Sequence, residues 1–153
     1  DAWRYVTSDR AVRGPDGYVT LLGRDADTLD VGQAAYGTAV VERVVSALDG
    51  VTEVAVVAIS EDDEVAAYVS CDRSSTDPDA LAGRVRARVA REISPAVRPN
   101  RVIIVPELPK THSGKVMRRL LADVVSGRGY GDTSALRNPE VVGEIETVTR
   151  RQE

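Results

Sequence analysis

The chain alternates between two kinds of apolar spacing. In "TAVVERVVSALDG", Val40, Val41, Val44, Val45 and Leu48 recur at steps of three and four, which gathers them on one helical face, with Thr38 as candidate N-cap and Gly50 as the stop. "EVAVVAI" and "VAAYVS" crowd β-branched and small apolar residues into two short runs around the acidic turn "SEDDE", the pattern of a strand hairpin. "DPDALAGRVRARVAREI" returns to helical spacing through Leu81, Val85, Val89 and Ile93 until Pro95. "RVIIVP" reads as a third strand, and a short helix is expected from about Val116 to Val125. This order predicts an α+β fold, a small sheet of about three strands covered on one side by amphipathic helices.

The flanks are less regular. "AVRGPDGYVTLLG" sets a Gly-Pro-Asp-Gly turn, residues 14–17, between short strands, the second running Tyr18 to Leu22, so a β-hairpin arm precedes the sheet. Gly23 to Gly37 is acidic, glycine-punctuated and aperiodic, and reads as a linker. After Ser126 the chain is turn-rich, then weakly helical from Pro139. The expected division is an arm over 1–24, a hinge or linker over 25–37, a small domain over 38–126 and a tail over 127–153.

Composition narrows the class. With 153 residues, 42% hydrophobic and 29% charged, the chain can bury one core of ordinary globular type. No run approaches the roughly 20 apolar residues of a membrane-spanning helix, and "DAWRYVTSDR" lacks the character of a signal peptide, so a cytoplasmic protein with no membrane partner is expected. One cysteine, Cys71, excludes an internal disulfide, and together with one histidine, His112, it leaves no metal cluster to expect. The net charge of −4 hides a basic block: residues 79–130 hold 11 bases against 4 acids, whereas 1–78 hold 6 against 15. Such a block suits an anion or an acidic surface, or is the solvated face of a helix at Arg84, Arg86, Arg88 and Arg91. Nucleic acid is not expected, because aromatics do not interleave with these bases.

That block ends in "LPKTHSGKVMRRLL", which contains Lys110 and Lys115, the only lysines against eighteen arginines. Pro109 stiffens the entry, Gly114 permits close approach, and Thr111 and Ser113 are expected to offer hydroxyls with free backbone amides. Lys115, expected at a helix start, is a compact, flexible cation able to follow charge that moves during a reaction. The same "SGK" also serves as a capping turn with a solvated lysine, and local chemistry leaves both readings open. It is not a phosphate-binding P-loop, whose glycine spacing is absent.

"LPKTHSGKVMRRLL" resembles the carboxy-terminal lysine motif of the adenylate-forming acyl-CoA synthetases, and "GDTSALRNPEVVGEIE" is similar to the tail of the acetyl- and propionyl-CoA synthetase branch. "YVTSDRAVRGPDGYVTLLGRDADTLD" resembles the junction between that family's large and small domains, "GTAVVE" its first small-domain helix, and "VAREISPAVRPNRVIIVPELPK" the approach to the lysine loop. The resemblance implies that residues 1–24 are the last strands of a large amino-terminal adenylation domain, the principal partner. It implies that Lys115 contacts ATP and a small carboxylic acid during adenylation, with Mg2+ on the nucleotide, and that a second pose makes the thioester with coenzyme A. Asp9 would hold the ribose, Arg24 the nucleotide edge, and the swing would occur at Asp25, Ala26 and Asp27. Lys110, Thr111, Ser113 and Gly114 would support the loop. Acetylation of Lys115 by a protein acetyltransferase, reversed by a deacetylase, would neutralise it.

Departures from the family pattern bear on the thioester step. Where relatives read roughly "GRVDDVINVSGHR", this chain reads "GRDADTLDVGQAA", with Ala26 at the hinge aspartate and Gln33, Ala34 and Ala35 in place of "GHR". A basic residue is also absent at Ala90, with Arg91 beside it as the substitute for coenzyme A binding. These departures put the thioester half in question and leave the adenylation lysine intact, and because the large domain that would bind the acyl group is not part of this sequence, the chain alone is not expected to be active. Two alternatives stand beside the ligase: a degenerate, non-catalytic homologue that acts as an interaction or regulatory module, and an adenylating enzyme that uses an acceptor other than coenzyme A.

Overall fold

The computed structural model describes residues 9–24, 27–31, 34–59, 64–74 and 76–152. In chain order these form β1 (Asp9–Arg13), β2 (Val19–Arg24), β3 (Thr28–Val31), β4 (Ala34–Gly37), α1 (Thr38–Ser46), β5 (Val51–Ile59), β6 (Glu64–Cys71), α2 (Pro78–Glu92), β7 (Arg101–Val105), α3 (Arg118–Val125) and α4 (Val141–Arg150), with a 3-10 turn over Pro95–Val97. The fold is α+β, as the apolar spacing predicts. The acidic turn 60–63, Gln33, Asp25 and Ala26 lie outside the described residues.

The central sheet has the order β5-β6-β7, with β5 and β6 antiparallel and β6 and β7 parallel. A parallel pair needs a crossover, which α2 supplies. Because side chains alternate across a strand, the three strands split their apolar residues between two faces. Ala55, Val57, Tyr68, Ile103 and Val105 pack against α3 and α4 through Leu120, Leu121, Val124, Val142 and Ile145. Val56, Ala67, Val69, Val102 and Ile104 pack against α1 and α2 through Val41, Val45, Leu81, Val85 and Val89. Helices therefore cover both faces, not one, and α4, within the segment read as a tail, belongs to the core. Each such Val, Leu or Ile side chain, removed from water, contributes about 1.5–3 kcal/mol before entropy is counted.

Local chemistry sets the boundaries of several elements. Asp77 caps α2 by accepting from the Asp79 amide at 3.1 Å, and Pro78 fits the first turn, where its missing N–H is not needed. Gly50 turns α1 into β5 at φ +89°, and a Cβ there would lie 2.2 Å from Thr76 Oγ1. Thr38 is not the N-cap of α1. Gly37 occupies that place without a side-chain bond, and Thr38 is buried as the first helical residue. On the same helix, Val40 faces solvent rather than the core. The stretch read as a linker holds a second hairpin, β3–β4, which buries Leu29 in the same core cluster as the apolar faces of α1 and α2. The arm pairs β1 with β2 around the turn at 14–17, as expected, and an ion pair from Arg10 to Asp30 ties it to β3.

Candidate functional site

The lysine loop is a closed turn. Lys110 and Val116 face one another as an antiparallel bridge, so the intervening residues must reverse direction. The Thr111 amide donates to the Lys115 carbonyl at 2.9 Å, and the Gly114 amide donates to the Thr111 carbonyl at 2.8 Å. The Thr111 hydroxyl accepts from the Lys115 amide at 3.1 Å and lies 2.9 Å from the Ser113 hydroxyl. Gly114 has φ +85°, a left-handed conformation that any other residue adopts at a cost. These bonds consume the amides of Thr111, Gly114 and Lys115, and the His112 amide donates to the Ala135 carbonyl. The turn is thus not an open cradle of amides, contrary to the expectation from its sequence.

The helix after the loop also starts later than expected. It begins at Arg118, so Lys115 stands three residues before it rather than on its first turn. What the loop presents is an ammonium on a pinned backbone. Lys115 is exposed, and among the described residues no carboxylate pairs with it. Lys110 differs in every respect. Its side chain is 12% exposed, forms an ion pair with Glu53 and lies 3.9 Å from Glu107. Strand alternation accounts for the contrast: Lys110 turns inward to β5, and Lys115, across from Thr111, turns outward.

An open cleft of about 440 Å³ lies beside the loop, lined by Glu42, Arg43, Glu53, Lys110, Gly114 and Val116. Next to it stands a cluster that the sequence reading did not identify. Glu42 of α1 accepts the Val56 amide of β5, an outer strand of the sheet, at 2.9 Å. The Arg118 guanidinium grips the same carboxylate at 2.8–3.1 Å and reaches Asp27 at 3.5 Å. Burial alone would lower the Arg118 pKa, but its bonds to Glu42 and the charges of Glu42 and Asp27 outweigh that and raise it. The available signal was a lone glutamate ending the apolar run "AVVE", a residue that needs a cation if it is half buried.

The remaining expected residues fall into separate places. Asp9 and Arg24 are cross-strand partners at the open end of the arm, so the hairpin brings those two together. Asp27, of the expected hinge, touches the first residue of the helix after the lysine loop. Arg91 lies at the end of α2 with Glu92 as its partner, 3.1 Å away. That end of α2 leads into the start of β7, whereas the lysine loop follows its finish, so Arg91 and Lys115 lie toward opposite ends of the sheet. Among the described residues no group of three or more His, Cys, Asp or Glu side chains is placed to hold a metal ion, and no helix is long and apolar enough to cross a membrane.

Residues 40–115 match the family model described as the AMP-binding enzyme C-terminal domain. The acetyl-coenzyme A synthetase of Mycolicibacterium smegmatis is 45% identical over 145 residues, which take in 92% of this chain and 15% of that protein. The acetoacetyl-CoA synthetase from Streptomyces lividans superposes with a TM-score of 0.74 at 23% identity, over 95% of this chain and 22% of that one, a likeness of fold. The ATP-bound MatB from Rhodopseudomonas palustris is 26% identical with a TM-score of 0.63, over 80% of this chain and 24% of that one. The chain thus spans between 15% and 24% of the length of these relatives.

Proposed function

The chain belongs to the AMP-binding enzyme C-terminal domain family, and from that premise we propose that it serves as the small domain of an ATP-dependent, AMP-forming acyl-CoA synthetase-like ligase. In this reading it works jointly with a large amino-terminal domain and is inactive alone. Lys115 is the catalytic residue, placing its ammonium against ATP and a small carboxylate while the acyl-adenylate forms. The supporting observation is the contrast within the loop, where one lysine is neutralised by carboxylates and the other is exposed with no carboxylate partner among the described residues. Magnesium enters only as the counter-ion of the nucleotide phosphates. Asp9 and Arg24 would meet the nucleotide from the arm, and Asp25, Ala26 and Asp27 would form the hinge. Exposure also leaves Lys115 open to reversible acetylation, which would remove the charge the reaction uses.

The test is carboxylate-dependent exchange between ATP and pyrophosphate by the complete synthetase containing this chain. Replacing Lys115 with alanine is expected to slow exchange about 100-fold or more, the loss typical of one well-placed electrostatic donor. Exchange at the parent rate would remove Lys115 from the chemistry.

A second reading concerns the acceptor. Ala34 and Ala35 lie in β4 and offer no polar side chain where relatives carry one, and Arg91 is paired with Glu92. This favours an enzyme that passes its adenylate to a thiol or amine other than coenzyme A, or a non-catalytic interaction module. Product analysis with coenzyme A and with alternative acceptors separates these cases, and robust thioester formation with coenzyme A would dismiss both.

A further inference from the structure

Asn138 belongs to the tail stretch "GDTSALRNPEVVGEIE" and is none of the expected site residues, yet it holds the lysine loop at two points. It is 5% exposed and precedes Pro139, which biases its backbone to the extended form. Its amide nitrogen donates to the Leu108 carbonyl at 2.9 Å, and its amide oxygen accepts from the Lys110 amide at 3.0 Å. The two bonds straddle Pro109, which has no N–H of its own, and whose carbonyl accepts from Met117 at 2.9 Å. The neighbours of Asn138 extend the contact. The Arg137 amide donates to the Lys110 carbonyl at 2.9 Å, Leu136 bridges Thr111, and the Ala135 carbonyl accepts from His112.

We propose that Asn138 is a positioning residue: its side-chain fork fixes the register of the 108–117 loop and so sets where the Lys115 ammonium stands. This rests on the adenylation reading of Lys115. Register is the quantity at stake because Lys110 fixes Val116 across the bridge, and Lys115 is the next residue. Only a side-chain amide offers a donor and an acceptor in this geometry. A carboxylate of the same shape offers acceptors alone, and would leave the Leu108 carbonyl without its donor in a buried place. A displacement of about 1 Å is enough to cost roughly 100-fold in a reaction that depends on alignment.

The complete synthetase containing this chain is compared as four forms: parent, Asn138→Ala, Lys115→Ala and the double variant. Adenylation is read by ATP–pyrophosphate exchange, and loop motion by hydrogen exchange of the 108–117 backbone. Asn138→Ala is expected to lower the saturated exchange rate about tenfold or more, with little change in KM for ATP. It should speed hydrogen exchange in 108–117 but not in α2, and it should cost nothing further once Lys115 is alanine. An equal loss in both backgrounds would make Asn138 a general structural residue and overturn the proposal, as would unchanged loop exchange with a full rate. Should Asn138→Ala fail to fold, Asn138→Ser carries the same comparison. A Lys115→Ala form as fast as the parent would instead sink the adenylation reading itself, and with it the role given to Asn138.

Discussion

Lys110 and Lys115 carry the same ammonium on the same turn, and their surroundings give them opposite consequences. Lys110 is enclosed by Glu53 and Glu107 at the edge of the core. Truncating it takes the cation from Glu53, while Glu107 keeps Arg137 at 3.4 Å, so Lys110→Ala should destabilise the fold by about 2 kcal/mol, short of the roughly 3–5 kcal/mol for a fully buried pair. Lys115→Ala removes an exposed group and should stay within about 0.5 kcal/mol of the parent in urea denaturation. Activity should rank them the other way. If both substitutions proved equally destabilising, the division of labour within the loop would be wrong. The rarity of lysine marked the pair, and the family resemblance assigned the chemistry to Lys115 and loop support to Lys110, but nothing in the spacing named what Lys110 would meet. The partner of Lys110 lies 57 residues earlier, and such a pairing exists only once β5 and the loop have been brought together.

The elements were more legible than their packing. Helical spacing located α1 and α2, and β-branched runs located β5, β6 and β7. The error concerned coverage, because α4 is buried through Val141, Val142 and Ile145 although it follows a long turn-rich stretch. A signal was present: β6 is apolar at both odd and even positions, the pattern of a strand covered on both faces rather than one. Ile145→Ala should therefore cost about 2–5 kcal/mol, whereas a dispensable tail would show no shift of the urea midpoint. Tyr68 adds a pH test of the same layer. Its hydroxyl donates to the Leu121 carbonyl and lies 3.3 Å from Thr149, joining β6 to α3 and α4. Burial raises its pKa from 10.0 to about 12, with the Thr149 bond and the charge of Arg101 pulling the other way. Below pH 10 both folded and unfolded chains keep this proton, so its contribution is intact. Between about 10 and 12 the unfolded chain releases the proton and the folded one does not, and stability falls by about 3 kcal/mol. Alkaline denaturation of Tyr68→Phe should lack that share of the fall.

At the scale of the molecule, three parts of the chain far apart in sequence meet at one guanidinium. Arg118 begins α3, Glu42 lies on α1 and plugs an amide of the outer strand β5, and Asp27 belongs to the segment between the arm and the small domain. None of this was readable from spacing, since Arg118 and Glu42 are 76 residues apart and "MRRLL" looks like the solvated start of an amphipathic helix. The side chains of Arg118 and Glu42 are only 23% and 15% exposed, so removing either leaves a poorly solvated charge. Arg118→Met and Glu42→Gln should each cost about 2–3 kcal/mol, less than a deeply buried pair. Because each loses the same contact, the double variant should fall short of the sum by about 1 kcal/mol or more. Additive losses would mean that the two act separately. The Asp27 contact predicts a further effect that stability does not report. Without Arg118, Asp27 loses its contact with α3, so limited trypsin digestion after Arg24 should be faster in Arg118→Met than in Glu42→Gln, which keeps the guanidinium. Equal cleavage in the two variants would show that Asp27 is not restrained by this contact, and the restraint would have to be sought between the arm and β3, where Arg10 meets Asp30.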